Sequence, residues 1–162
     1  MQRVGVWTIG IGLVVAVGLL TVKQGYAEEK EHEPTCTLKT LTGRYLFAGS
    51  GTILPPAFAE FGVTEPTPGA DAGFHLFNGD GTGTDIVTFR IGTDIVLKNA
   101  PSPITYTVNP DCTGSYTVHL PDSTLGPSFD LFIAPDGESI ATISTAPPGN
   151  YVSGIDRRVS HK

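Results

Sequence analysis

Four histidines, two cysteines and a few charges set among β-forming residues are the groups in this chain that could do chemistry. His75 and His119 lie in segments of strand-like composition. There an imidazole can face an internal cavity or sit at a rim or surface. His32 and His161 lie in the two tails. No H-E-x-x-H or H-x-x-x-H occurs, so the paired-histidine metal motif of zinc hydrolases is missing. Asn78-Gly79-Asp80-Gly81-Thr82-Gly83 places oxygen-bearing side chains at alternate positions, as a calcium loop does. Its twelfth position is Phe89 instead of a bidentate carboxylate, and its flanks read as strands, so the segment is expected to be a glycine-rich hairpin turn with Asx-type hydrogen bonds and no metal. Arg90, Asp85 and Asp130 stand in otherwise apolar or small-polar strands. A charge pointing into a barrel is costly unless paired, so an inward Arg–Asp pair would mark a ligand or proton-transfer site. Parity opposes that pair. Arg90 shares a face with Thr84, Ile86 and Thr88, and Asp85 shares the other with Val87, Phe89 and Ile91. Only a bulge would turn both inward.

Cys36 and Cys112 are the only cysteines. Neither lies in a C-x-x-C, and neither has a histidine at ligand spacing, so a redox or metal pair is poorly supported. An even pair in an exported chain reads as one structural disulfide. No G-x-S-x-G, phosphate-binding loop, dinucleotide fingerprint or haem attachment motif is present, and no cofactor is expected.

These groups must be held by a β framework. Charged residues are 16% of the chain, against about 25% in typical domains, and there are 20 Gly and 13 Pro. At 162 residues one folded domain is the natural count. A net charge of −6 without a basic stripe gives no basis for nucleic-acid or anionic-membrane binding. Alternating runs punctuated by turn formers predict strands over Thr40–Gly49, Gly73–Phe77, Thr84–Ile91, Ile104–Val108, Ser115–Leu120, Ser128–Ala134, Ser139–Thr145 and Tyr151–Val159. Asn-Gly and Asp-Gly at residues 78–81, Asn109–Gly114, and Pro135-Asp136-Gly137-Glu138 are hairpin signals. Asp94–Lys98 continues or bulges the third strand, and Asn99–Pro103 leads into the next hairpin. Ile53–Ala72, with Pro55, Pro56, Pro66 and Pro68, is expected to be a strap or lid with one short helical turn and the apolar pair Phe58 and Phe61. Pro121–Pro127 is a loop. Eight short strands in sequential order predict an all-β, antiparallel, up-and-down barrel, which is either filled by side chains or able to hold one small ligand.

Residues 1–27 read as a signal peptide: Arg3, an uncharged run from Val4 to Val22, and Gly25-x-Ala27 before cleavage. The run is long for a signal peptide, so an uncleaved anchor through residues 4–22 is the alternative, and the only membrane contact expected. Residues 28–35 would be a disordered tether, and residues 36–162 the barrel domain. Either reading exports the domain, to the periplasm or outside the cell.

Several motifs together suggest a family. They are Leu41-x-Gly43-x-Tyr45-x-Phe47, Phe77–Gly83, Tyr106–Gly114 and the terminal Ser153-Gly154-x-x-Arg157-Arg158. From Cys36 to Val159 the chain resembles small secreted bacterial proteins with allene-oxide-cyclase-like, calycin-type barrels. The resemblance implies an apolar barrel cavity for a reactive or greasy ligand, and no catalytic residue of that family matches a position here. The expected function is binding of a small apolar molecule in or at the mouth of the barrel. A cyclase or isomerase acting on such a ligand, and an interaction protein with a filled barrel, are the alternatives. The expected cavity lining is Tyr45, Phe47, Phe74, Phe89, Tyr106, Phe132 and Tyr151, with Arg90 as the charged contact. Oligomeric state is not legible.

Overall fold

A computed structural model describes residues 35–120 and 126–161. Eight antiparallel strands follow in chain order: β1 Gly43–Ile53, β2 Thr67–Phe77, β3 Thr82–Ile91, β4 Asp94–Val108, β5 Thr113–Val118, β6 Ser128–Ile133, β7 Ser139–Ala146 and β8 Asn150–Ser160. Each pairs with the next, and β8 returns to β1, so the sheet is a closed barrel. The closing register runs from Arg44 opposite Ser160 to Ile53 opposite Asn150. Closure pairs the two terminal strands that would otherwise be open edges. The all-β up-and-down barrel read from alternation and turn chemistry is therefore the fold.

Alternation fixes the faces. β1 turns Tyr45 and Phe47 inward, β3 turns Asp85 and Val87 inward, and β6 turns Phe129, Leu131 and Ile133 inward. The end of the barrel bearing the β2–β3, β4–β5 and β6–β7 turns is filled. Leu41, Tyr45, Phe77, Ile104, Tyr106, Leu131 and Ile140 pack there and are almost wholly buried. Each such large apolar side chain contributes about 1.5–3 kcal/mol on burial. The Tyr45 hydroxyl donates to the Gly137 carbonyl at 2.6 Å and accepts from Arg158 Nε at 3.0 Å. The Tyr106 hydroxyl donates to the Leu38 carbonyl at 3.1 Å and accepts from the Gly79 N–H at 2.9 Å. The Cys36–Cys112 disulfide ties the chain ahead of β1 to the β4–β5 turn, across 76 residues of sequence.

Two of these turns are one device used twice. In the first, Asn78 Nδ2 donates to Thr82 Oγ1, and Thr82 gives both its N–H and its hydroxyl to Asp80 Oδ1 at 2.9 and 2.7 Å. In the second, Asn109, Asp111 and Thr113 repeat every one of these bonds. The Asn-x-Asp-x-Thr spacing directs the aspartate back onto its own turn, as Asx turns do.

Three local expectations are corrected. The connection over Ile53–Ala72 is shorter than its composition suggests, because β1 runs to Ile53 and β2 starts at Thr67. Thr67–Ala72 has little strand propensity, but it is paired with β1 and, from Gly69, with β3, and that pairing decides its conformation. The short helical turn is present at Ala59–Phe61; Phe58 is buried and Phe61 is 38% exposed, so only one of the two packs inward. Asp94–Lys98 does not extend the third strand. A two-residue turn, Gly92-Thr93, precedes it, and it opens β4, which also absorbs Asn99–Pro103. A bulge accommodates them: the register shifts opposite Val87–Arg90, and Asn99 takes a left-handed φ of 48°.

The leader over residues 1–27, the tether but for Thr35, and residues 121–125 of the Pro121–Pro127 loop lie outside the described residues. Among the described residues no helix is long and apolar enough to cross a membrane.

Candidate functional site

The opposite end of the barrel is partly hollow. A cavity of about 50 Å³, measured at the centres of water-sized molecules, is bordered by Phe47, Asp71, His75, Asp85, Val87, Phe89, Leu97, Tyr116, Val118, Phe129, Asn150 and Val152. Phe58 from the β1–β2 connection and Leu120 and Pro127 from the β5–β6 connection complete it. That space suits a few waters or a fragment of comparable size. A second space of about 10 Å³ shares part of this wall and reaches Thr142 and Asp156.

The chemistry is concentrated in one polar layer. On β2, Asp71, Gly73, His75 and Phe77 occupy alternate inward positions. His75 is 2% exposed and lies opposite Asp85 of β3. Its Nδ1 is 3.0 Å from Asp156 Oδ2 on β8, and its Nε2 is 3.4 Å from Asp85 Oδ1. Both carboxylates are buried with the ring, Asp156 at 2% and Asp85 at 5% side-chain exposure. Phe47 stacks on the imidazole at 4.1 Å with the planes 6° apart, and Tyr116 meets its edge at 5.0 Å. Gly49 on β1 leaves room for Asp71, since a Cβ there would lie 2.3 Å from Asp71 Oδ1.

Burial and charge oppose one another in this layer. Burial alone would lower the pKa of His75, but the Asp156 hydrogen bond and the charges of Asp156, Asp85 and Asp71 together outweigh it and raise the pKa above 6.5. Burial pushes Asp85 up to about 6, against the attraction of His75, and the charges of Asp71 and Asp156 add to the rise. Burial also raises Asp71, again against His75. Burial raises the Tyr116 hydroxyl well above 10, and the three carboxylates push it further the same way. The layer thus holds three carboxyls and one imidazole in a site that, among the described residues, no lysine or arginine lines. Asp71 Oδ1, Asp85 Oδ1 and Asn150 Oδ1 are buried acceptors without a hydrogen-bond partner, and all three residues border the cavity. Ser102 Oγ, on the residue paired with Asp85 across β3 and β4, is a fourth unpartnered atom. Among the described residues no group of three or more His, Cys, Asp or Glu is arranged to hold a metal ion.

The expected lining divides three ways. Phe47 and Phe89 border the cavity. Tyr45 and Tyr106 point inward but belong to the filled end, where their hydroxyls seal the turns. Phe74, Arg90, Phe132 and Tyr151 stand on the outer face, which corrects their expected inward placement. Phe132 and Tyr151 are more than half exposed, the Arg44 guanidinium lies 3.6 Å from the Phe74 ring centre, and Arg90 donates to the Thr93 carbonyl at 3.1 Å. Each is the alternate of an inward residue: His75 beside Phe74, Leu131 beside Phe132, Val152 beside Tyr151. Large aromatic size suggested the interior, and the two-residue period decided otherwise. Asp85 is inward, as its shared parity with Val87 allows, but its partner is His75 and not Arg90, while Asp130 is exposed. His119 is a surface residue with its Nε2 3.0 Å from Thr105 Oγ1, and His161 is exposed beside Arg158 and Glu138. His32 lies outside the described residues.

Asp71, Asp156 and Asn150 were not singled out from sequence. Parity with Val152 in V-S-G-I-D gives a usable signal for Asp156. Asp71 sits in Ala-Asp-Ala among prolines and gives none. Compared with the models of known protein families the chain matches none, and no curated protein is significantly similar to it.

Proposed function

We propose that this is an exported barrel that binds a small molecule in the hollow end, an apolar body against Phe47, Phe89 and Phe129 and polar atoms against the Asp–His layer. The observation that carries this is that Asp71 Oδ1, Asp85 Oδ1 and Asn150 Oδ1 accept no hydrogen bond beside an aromatic-walled space, Asp85 Oδ1 having only its 3.4 Å ion-pair contact with His75. Buried acceptors left without a partner cost about 1–3 kcal/mol each, more when charged. A chain that stabilised only its own fold would gain by replacing them with apolar groups. The closed eight-stranded meander supports membership in the allene-oxide-cyclase-like, calycin-type group. The Cys36–Cys112 bond supports an oxidising compartment, and with it export through the leader.

The test is native mass spectrometry of protein purified from its own host. A reproducible mass added to the folded barrel and lost on denaturation is the expected result. A bare mass in repeated preparations would favour a filled, structural barrel.

A second reading is favoured by one observation, the 3.0 Å His75–Asp156 contact beside the cavity. In it the barrel is a cyclase or isomerase. Asp85, held near 6, is poised to take and return a proton near neutral pH, while His75, held by Asp156, carries the compensating positive charge. Conversion of the co-purified molecule by wild-type protein, abolished in Asp85→Asn, would select this reading over simple binding.

A further inference from the structure

The polarity of the hollow end narrows its ligand. Three buried acceptor atoms border the cavity without a hydrogen-bond partner, and two of the three belong to carboxylates. Asn150, 6% exposed and on a different strand from both aspartates, independently aims an unpartnered Oδ1 at the same space. The carboxyls outnumber the imidazole three to one, and among the described residues no other cationic side chain lines the cavity. The walls are aromatic: Phe47 stacks on His75, and Tyr116 stacks on Phe129 with ring centres 4.7 Å apart. Aromatic faces carry a negative quadrupole that attracts cations. An anionic ligand would meet like charge at Asp71 and Asp85. A neutral hydrocarbon would leave the acceptors buried and unpaired.

We propose that the cavity selects a small organic cation, a protonated amine with a short apolar body, whose N–H groups are donated to Asp71, Asp85 and Asn150 and whose carbon body lies against the aromatic walls. This rests on the reading of the hollow end as a binding site and adds the charge of its occupant. An ammonium supplies three donors and no acceptor, which matches the three acceptor atoms of Asp71, Asp85 and Asn150. It also adds a second cation to a layer in which His75 faces three carboxyls.

The experiment compares three probes of one chain length on the full-length protein at pH 7.5: n-butylammonium, 1-butanol and pentanoate, each titrated by calorimetry. The amine is expected to bind at least about tenfold more tightly than the alcohol, the worth of one charge-assisted hydrogen bond. Pentanoate is expected to give no heat of binding. In Asp85→Asn and, separately, Asp71→Asn, the amine should lose most of that advantage while the alcohol is unchanged; either variant suffices if the other does not fold. In the wild type, amine affinity should fall as the pH is lowered from 7.5 to 5, when Asp85 takes up a proton among His75 and Asp71 of β2, Asp156 of β8 and Tyr116 of β5. Equal binding of amine and alcohol would overturn the proposed charge selectivity and leave the binding reading intact. Preference for pentanoate, or an amine affinity untouched by both variants, would also overturn it. Binding of none of the three would overturn it as well, and the mass measurement on host-purified protein would then decide separately whether the cavity holds anything.

Discussion

Asp85→Asn should make the barrel more stable at pH 8 and leave it unchanged at pH 4. Asp85 ionises near 3.8 in the open chain and at about 6 in the barrel. A folded pKa above the unfolded one means that the native state binds the proton more tightly. Stability from this group is therefore full below 3.8 and is lost as the pH rises through 6. At about 1.4 kcal/mol per pH unit, the gap between 3.8 and about 6 amounts to about 3 kcal/mol. Asparagine has the shape of the protonated acid and no charge, so it should recover much of that figure at pH 8. His75 acts in the same direction: its raised pKa gives stability that is full below 6.5 and lost as the pH passes its folded value. Asp111 acts oppositely, because the Thr113 hydrogen bonds lower its pKa, so its contribution is lost only as the pH falls below 3.8. Urea unfolding of both proteins at pH 4, 6 and 8, with the disulfide intact, isolates Asp85 as the difference between two curves. A larger loss of stability in the variant at pH 8 than at pH 4 would refute the reasoning. It would mean that His75 holds Asp85 ionised and that no excess of negative charge is buried in the barrel.

Three further outcomes follow from the same structure. Reducing Cys36–Cys112 reopens a 76-residue separation and should cost about 4–5 kcal/mol by the chain-entropy relation, read as a lower melting temperature; an unchanged melting temperature would show the bond to be unimportant. Tyr45→Phe deletes the hydroxyl that joins Gly137 and Arg158 and should destabilise by about 1–3 kcal/mol in urea, with n-butylammonium affinity unchanged because Tyr45 lies outside the cavity. Gly49→Ala places a Cβ 2.3 Å from Asp71 Oδ1, so calorimetry should show weakened amine binding while circular dichroism shows the barrel retained.

The fold was legible because its signals are local. Alternation at Tyr45–Phe47 and Phe129–Ile133, and the turn residues at 78–82 and 109–113, specify strands, faces and corners within a few residues. The site was less legible because its parts are brought together by register. His75, Asp85 and Asp156 come from β2, β3 and β8, and nothing in their spacing shows that β8 reaches round to β1 and delivers Asp156 to His75. Residue size misled where parity ruled. Phe74 is larger and more apolar than His75, yet an inward Phe74 would turn the whole of β2 over and expose Phe77. Asp71 escaped notice because its segment acquires strand structure only from its neighbours.

The nitrogen-15 spectrum of the His75 ring, followed against pH in the folded protein, tests the buried Asp–His layer most directly. A ring titrating above 6.5, with a signal displaced by n-butylammonium, is the result this account requires. A ring that titrates at or below 6.5, as a solvent-facing histidine or one buried without carboxylate partners would, and that ignores the amine, would contradict it.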